Sequence, residues 1–114
     1  MILVFGGFAS GKRAYVKEEL GYTDSDISSN PYDKAPVLYN LQELISTDAD
    51  SERYLPELLK KEVIICNDIS CGIVPVDRAE REKREAVGRL LIRLAAEAEK
   101  VVRIQCGLPQ VLKG

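Results

Sequence analysis

A glycine, four residues and a Gly-Lys pair, set directly behind a short apolar run, constrain this chain more than anything else in it. The run is Ile2-Leu3-Val4-Phe5, and it leads into Gly6-Gly7-Phe8-Ala9-Ser10-Gly11-Lys12. This is the Gly-x-x-x-x-Gly-Lys spacing of a phosphate-binding loop, placed where a strand hands over to a helix. Glycines let successive backbone N–H groups curl around phosphate oxygens, and the helix that follows adds its positive end. Lys12 brings a point charge to the outer phosphates. The expected nucleotide-binding stretch is therefore Gly6, Gly7, Phe8, Ala9, Ser10, Gly11, Lys12 and Arg13. The motif normally closes on Ser or Thr, whose hydroxyl reaches Mg²⁺. Here that position is Arg13, so phosphate binding is expected while a role for Mg²⁺ is doubtful. The bland alternative is a glycine turn with Lys12 in solvent.

The chain has 114 residues and fits a single domain, 1–114, with one core. Its net charge is −2, which gives no bulk attraction to nucleic acid or anionic membrane. No apolar run approaches the ~20 residues of a membrane span. The opening run lacks a basic leader and reads as a first strand rather than a signal peptide. Three cysteines form no disulfide-like framework, so a reduced, cytoplasmic setting is expected. The sequence contains no histidine, which excludes histidine acid–base chemistry, histidine metal ligation and any phospho- or nucleotidyl-histidine intermediate within it. No metal-ligand set is expected.

Four apolar runs read as buried strands: 2–5, 36–39, 63–66 and 101–104. Three are Val/Ile-rich without polar alternation, as suits strands covered on both faces. Helical patterns lie between them, over 12–20, 51–61 and 78–99. In the last, Ala79, Ala86, Val87, Leu90, Leu91, Leu94, Ala95 and Ala98 trace one buried stripe. Asp77 is a suitable N-cap, with Glu80 three residues on and Pro75 just ahead. The segment 21–35, rich in Ser, Asp, Asn, Tyr and Pro, reads as a surface loop. Alternating strands and helices predict a three-layer α/β fold of the P-loop NTPase, RecA-like kind. Its sheet is short and mainly parallel, with about four strands. Ligands bind such sheets at the carboxyl ends of the strands. Asn40, Asn67 and Asp68 fall there together with the loop.

The other candidates divide between chemistry and structure. Asp68 serves as a metal-water ligand or general base, or simply caps the loop after its strand. Arg78, Arg81 and Arg84 share one helix face, where Glu80, Glu82 and Glu85 offer a solvated ion-pair alternative. Cys66 and Cys71 are too widely spaced for a redox pair, and Cys66 reads as a small core residue. Tyr22, Tyr32 and Tyr39 could stack on a flat ligand or pack a lid.

The stretch Asn67-Asp68-Ile69-Ser70-Cys71-Gly72-Ile73-Val74-Pro75-Val76-Asp77-Arg78 resembles a signature of a known family. That family is the bifunctional adenosylcobinamide kinase / adenosylcobinamide-phosphate guanylyltransferases of cobalamin assembly. The likeness continues through Arg81, Arg84, Gly88-Arg89 and Arg93-Leu94-Ala95, and Ile2-Leu3-Val4 with Gly6-Gly7 and Ser10-Gly11-Lys12 resembles the same family's start. Together these stretches cover about half the chain. The resemblance implies a RecA-like sheet and a kinase that phosphorylates a cobinamide hydroxyl with ATP or GTP. A second activity would then transfer GMP to the new phosphate. It places Lys12 and Asp68 in catalysis, Asp68 standing at the family's glutamate position. Arg78, Arg81 and Arg84 fall beside the substrate phosphate or corrinoid. It also implies a trimer.

The departures from the family pattern are specific. Members are longer, and the middle portion missing here carries the histidine that takes GMP. Asn40 stands at an acidic position near the metal, and Leu91-Ile92 replace an Asn-Gln pair. The expected function is thus a purine-nucleotide-binding relative of adenosylcobinamide kinase without the guanylyltransferase step. A non-catalytic nucleotide-binding pseudoenzyme, or an oligomeric scaffold, is the alternative.

Overall fold

A computed structural model of the chain describes residues 1–7, 9–68 and 77–114. The first apolar run becomes strand β1, Ile2–Gly6, and the glycine loop leads into helix α1, Lys12–Glu18. A 3-10 turn at Asp24–Asp26 precedes the two-residue strand β2, Ile27–Ser28, and β3 follows at Val37–Leu38. A second 3-10 turn spans Leu41–Glu43. It is followed by helix α2 at Asp48–Leu58 and strand β4 at Val63–Asn67. Helix α3 runs over Arg78–Glu97, and β5, Lys100–Gln105, turns back into β6, Leu108–Lys113.

The strands form one sheet in the order β2-β3-β4-β1-β5-β6. All neighbours are parallel except β5 and β6, which are antiparallel. Successive residues of each central strand point to opposite faces, so an unbroken apolar run supplies two cores. On one face Leu3, Ile64 and Val101 pack with Leu58 of α2 and Val87, Leu90 and Leu94 of α3. On the other, Val4, Ile65, Val102 and Ile104 pack with Val16 of α1. The result is the three-layer α/β arrangement that the strand–helix alternation predicts.

The sheet has two strands more than the four expected. β2 lies inside the segment read as a loop, and two residues are too few to impose a pattern. Every residue of β6 is exposed. An edge strand with neither face buried carries no hydrophobic period that a sequence pattern would reveal. The α3 N-terminus is as expected, with the Asp77 carboxylate accepting from the Ala79 N–H at 2.8 Å. α2 starts three residues ahead of the predicted Ser51, because Thr47 and Asp50 form a reciprocal capping box. Of the substituted pair in α3, Leu91 packs against the core while Ile92 is 72% exposed. Pro75, Cys71 and the Gly72-Ile73-Val74-Pro75 signature lie outside the described residues. Among the described residues, no helix is long and apolar enough to cross a membrane.

Candidate functional site

β1 sits between β4 and β5, so the loop at its end is flanked by the carboxyl ends of both neighbours. Two glycines fix its path. A Cβ on Gly6 would lie 2.3 Å from the Ile104 carbonyl oxygen and 2.8 Å from Ser10 Oγ, so only glycine fits against β5. Gly11 adopts φ +96°, a left-handed conformation that costs a residue with a Cβ roughly 1–2 kcal/mol. Ala9 also lies in the left-handed region, at φ 55°. The loop is tied down on both sides. The Asp68 N–H donates to the Gly6 carbonyl at 2.7 Å, and the Gly107 N–H donates to the Ser10 carbonyl at 2.9 Å. Phe8, expected in this stretch, lies outside the described residues.

Lys12 begins α1 and turns its side chain back into this loop. Its ammonium donates to the Gly7 carbonyl at 2.6 Å and to Ser10 Oγ at 3.3 Å. The residue is 5% exposed. Burial lowers its pKa from the ordinary 10.5, since the loop offers it dipoles but no carboxylate. The Cys66 thiol nearby is pushed up to about 12 by burial, which keeps it protonated and inert at neutral pH.

A cavity of about 570 Å³ opens between the loop and the ends of β3 and β4. Lys12 and Arg13 line one side, and Tyr39, Asn40, Gln42, Glu43 and Asn67 the other. The Arg13 guanidinium lies 4.8 Å from the centre of the Tyr39 ring and donates to Asp24 at 3.3 Å. Lys17 shares that carboxylate, with Nζ at 3.2 Å. Gln42, only 3% exposed, organises the opposite wall. Its Nε2 donates to Asn40 Oδ1 at 3.1 Å, and its Oε1 accepts the Asn67 N–H at 3.0 Å. Sequence reasoning missed Gln42. The one signal for it is a glutamine set between Leu41 and Leu44, where burial obliges a polar side chain to find partners.

The remaining candidates fall on either side of the loop. Asp68 borders not the Lys12 cavity but two others, one of about 300 Å³ on the β5 side with Gly7, Ser10, Arg103 and Cys106, and one of about 560 Å³ with Phe5, Gly88, Leu91 and Leu112. Of the three arginines, Arg84 borders a groove with Gln42, Glu43, Glu80 and Lys83. Gln42 and Glu43 belong to both spaces, so this groove continues the Lys12 cavity. Arg78 instead pairs with Glu82 at 3.3 Å, and Arg81 is exposed. Further along α3, Arg89 holds Asp48 at 3.0 Å and Arg93 pairs with Glu52, which ties α3 to α2.

The chemistry of this cavity suits an anion. Two cations face amide side chains. The carboxylate lining it is that of Glu43, which is exposed and 3.9 Å from Lys83. A divalent metal fits poorly. Arg13 cannot coordinate a cation, and the Asn40 oxygen already accepts from Gln42. Among the described residues, no group of three or more His, Cys, Asp or Glu is placed to hold a metal.

No curated protein matches the chain. A family model does, over residues 34–112. That span starts beyond the glycine loop and takes in the cavity's β3 and β4 walls, α3 and the β5–β6 hairpin. The chain belongs to the cobinamide kinase / cobinamide phosphate guanyltransferase family.

Proposed function

We propose that residues 1–114 form a single P-loop domain that binds a purine nucleoside triphosphate, ATP or GTP, on the loop from Gly6 to Arg13. The observation that carries this reading is the Lys12 ammonium. It is buried, has no carboxylate partner among its hydrogen bonds, and is held 2.6 Å from the Gly7 carbonyl inside a loop that Gly6 and Gly11 keep open. A cation kept there at a cost to its own ionisation awaits an anion.

In the kinase reading, Lys12 and the loop amides stabilise charge on the transferred phosphoryl group, and catalysis is positioning plus electrostatics. The acceptor, a cobinamide hydroxyl, enters along the groove that leads to Arg84. Arg84, rather than Arg78 or Arg81, is then the arginine in reach of it. Asp68 lies outside that cavity and groove, so it acts only on an acceptor arriving by another side of the loop. The guanylyltransferase step through a histidine is absent, since the chain contains none. The exposed apolar side chains Ile92, Leu108, Val111 and Leu112 favour self-association across α3 and β6.

The test is calorimetric titration with ATP and GTP, followed by a corrinoid phosphorylation assay. Lys12→Ala should weaken triphosphate binding by about 1.5–3 kcal/mol, the range for hydrogen bonds to charged groups. Equal affinity in the variant would leave the loop as a turn only. The second reading, a nucleotide-binding pseudoenzyme, is favoured by Arg13 and Asn40 standing where a hydroxyl and a carboxylate are expected. Binding without phosphoryl transfer would support it.

A further inference from the structure

The cavity beside Lys12 combines a second fixed cation with a donor set unsuited to metal. Arg13 occupies the position where a hydroxyl would reach Mg²⁺. Its guanidinium stays on the cavity wall, stacked 4.8 Å from the Tyr39 ring centre. The ring supports the cation's position without consuming its hydrogen-bond donors. The carboxylate bonded to it among the described residues, Asp24, has 67% of its side chain exposed and is shared with Lys17. Exposed pairs of this kind are weak and are exchanged readily for a phosphate, which a guanidinium binds through two parallel hydrogen bonds. The opposite wall holds Asn40 and Gln42, neutral amides bonded to each other, and its carboxylate, Glu43, is exposed and lies 3.9 Å from Lys83.

We propose that this site binds nucleoside polyphosphate without divalent metal, with the Arg13 guanidinium neutralising the phosphate charge that Mg²⁺ would otherwise cover. The inference rests on the triphosphate-binding reading of the loop. The ligand class is a metal-free nucleoside di- or triphosphate. Lys12 takes one phosphate from inside the loop, and Arg13 takes another from the cavity side after leaving Asp24. Bound Mg²⁺ would place a like charge beside the guanidinium and weaken the complex.

The experiment is titration of the full chain with ATP in EDTA and again in excess Mg²⁺, for the native protein, Arg13→Ser and Asp24→Asn. Expected is binding in EDTA that equals or exceeds binding with Mg²⁺. Arg13→Ser should lose tenfold or more in EDTA, which corresponds to about 1.4 kcal/mol or more. It should lose less with Mg²⁺. Asp24→Asn frees the guanidinium and should tighten metal-free binding about two- to fivefold, the scale of an exposed ion pair. The gain should vanish when Asp24→Asn is combined with Arg13→Ser, whereas a general loss of negative charge would keep it. Native binding that requires Mg²⁺ overturns the inference and leaves the loop reading standing, as does Arg13→Ser matching the native protein in EDTA. No ATP binding under either condition overturns both.

Discussion

Lys12 carries opposing demands. In the proposed reading its charge serves an anion, yet the loop that would receive the anion desolvates the ammonium. Because burial lowers its pKa below 10.5, the unfolded chain binds more protons between the two values. Stability therefore rises with pH through that window, and the whole penalty is present below it. Lys12→Met should raise stability at pH 7 by about 0.5–2 kcal/mol, as with other function-bearing strained groups. Its advantage should shrink as pH climbs toward 10.5. Urea unfolding of both proteins at pH 7 and pH 10 checks this, and a variant less stable than the native protein at pH 7 would contradict it. Cys66 acts with the opposite sign. Its thiol ionises from 9.0 when unfolded but only at about 12 when folded, so the folded state holds the extra proton in between. Stability then falls with pH over that interval, by up to about 1.4 kcal/mol per pH unit. Cys66→Ala should flatten this slope whatever its effect on packing.

At the scale of elements, the loop and the β5–β6 hairpin are built against each other. The hairpin turn uses left-handed Cys106 and Gly107, φ 53° and 74°, and its Gly107 N–H holds the loop at Ser10. The two adjoining glycines of the loop then separate fold from binding. Gly6→Ala would drive a methyl into the Ile104 backbone and should cost about 1–3 kcal/mol of stability. A Cβ on Gly7 meets none of the described residues within 4 Å, so Gly7→Ala should change stability by less than about 0.5 kcal/mol. In the proposed reading a phosphate approaches through that open space, so Gly7→Ala should still weaken ATP binding. Thermal unfolding beside calorimetry reads both, and an unchanged Gly7→Ala affinity would place the phosphate elsewhere. β1, β4, β5 and α3 were legible in the sequence because each is an apolar run or stripe dictated by burial. β6 was not, since its exposed residues answer only to backbone pairing. The place of Lys12, at the start of α1 against the loop, was legible from spacing. Gln42 was not, because its importance lies in reaching Asn67, 25 residues away. Nor does sequence spacing tell Arg84, which borders the groove, from Arg78, which pairs with Glu82.

At the scale of the whole molecule, the cavity is where separate parts of the sheet meet. Its walls come from the loop after β1, the turn after β3 and the end of β4, with α1 and the Asp24 turn behind Arg13. The family match spans the β3 and β4 walls but not the loop, so the cavity joins a family-defined half to one known by its geometry. An anion seated there bridges both halves, and its binding free energy must enter the stability of the fold as one unit. For a ligand that binds only the folded chain, stabilisation is about 2.7 kcal/mol at a hundred times its Kd. Saturating ATP in EDTA should therefore raise the global unfolding free energy by that amount. It should also slow amide hydrogen exchange at Gly6, Asn67 and Ile104 together. If protection rises at the loop alone while the β4 and β5 amides exchange as before, the ligand sits on a local turn. The cavity would then not be a single site.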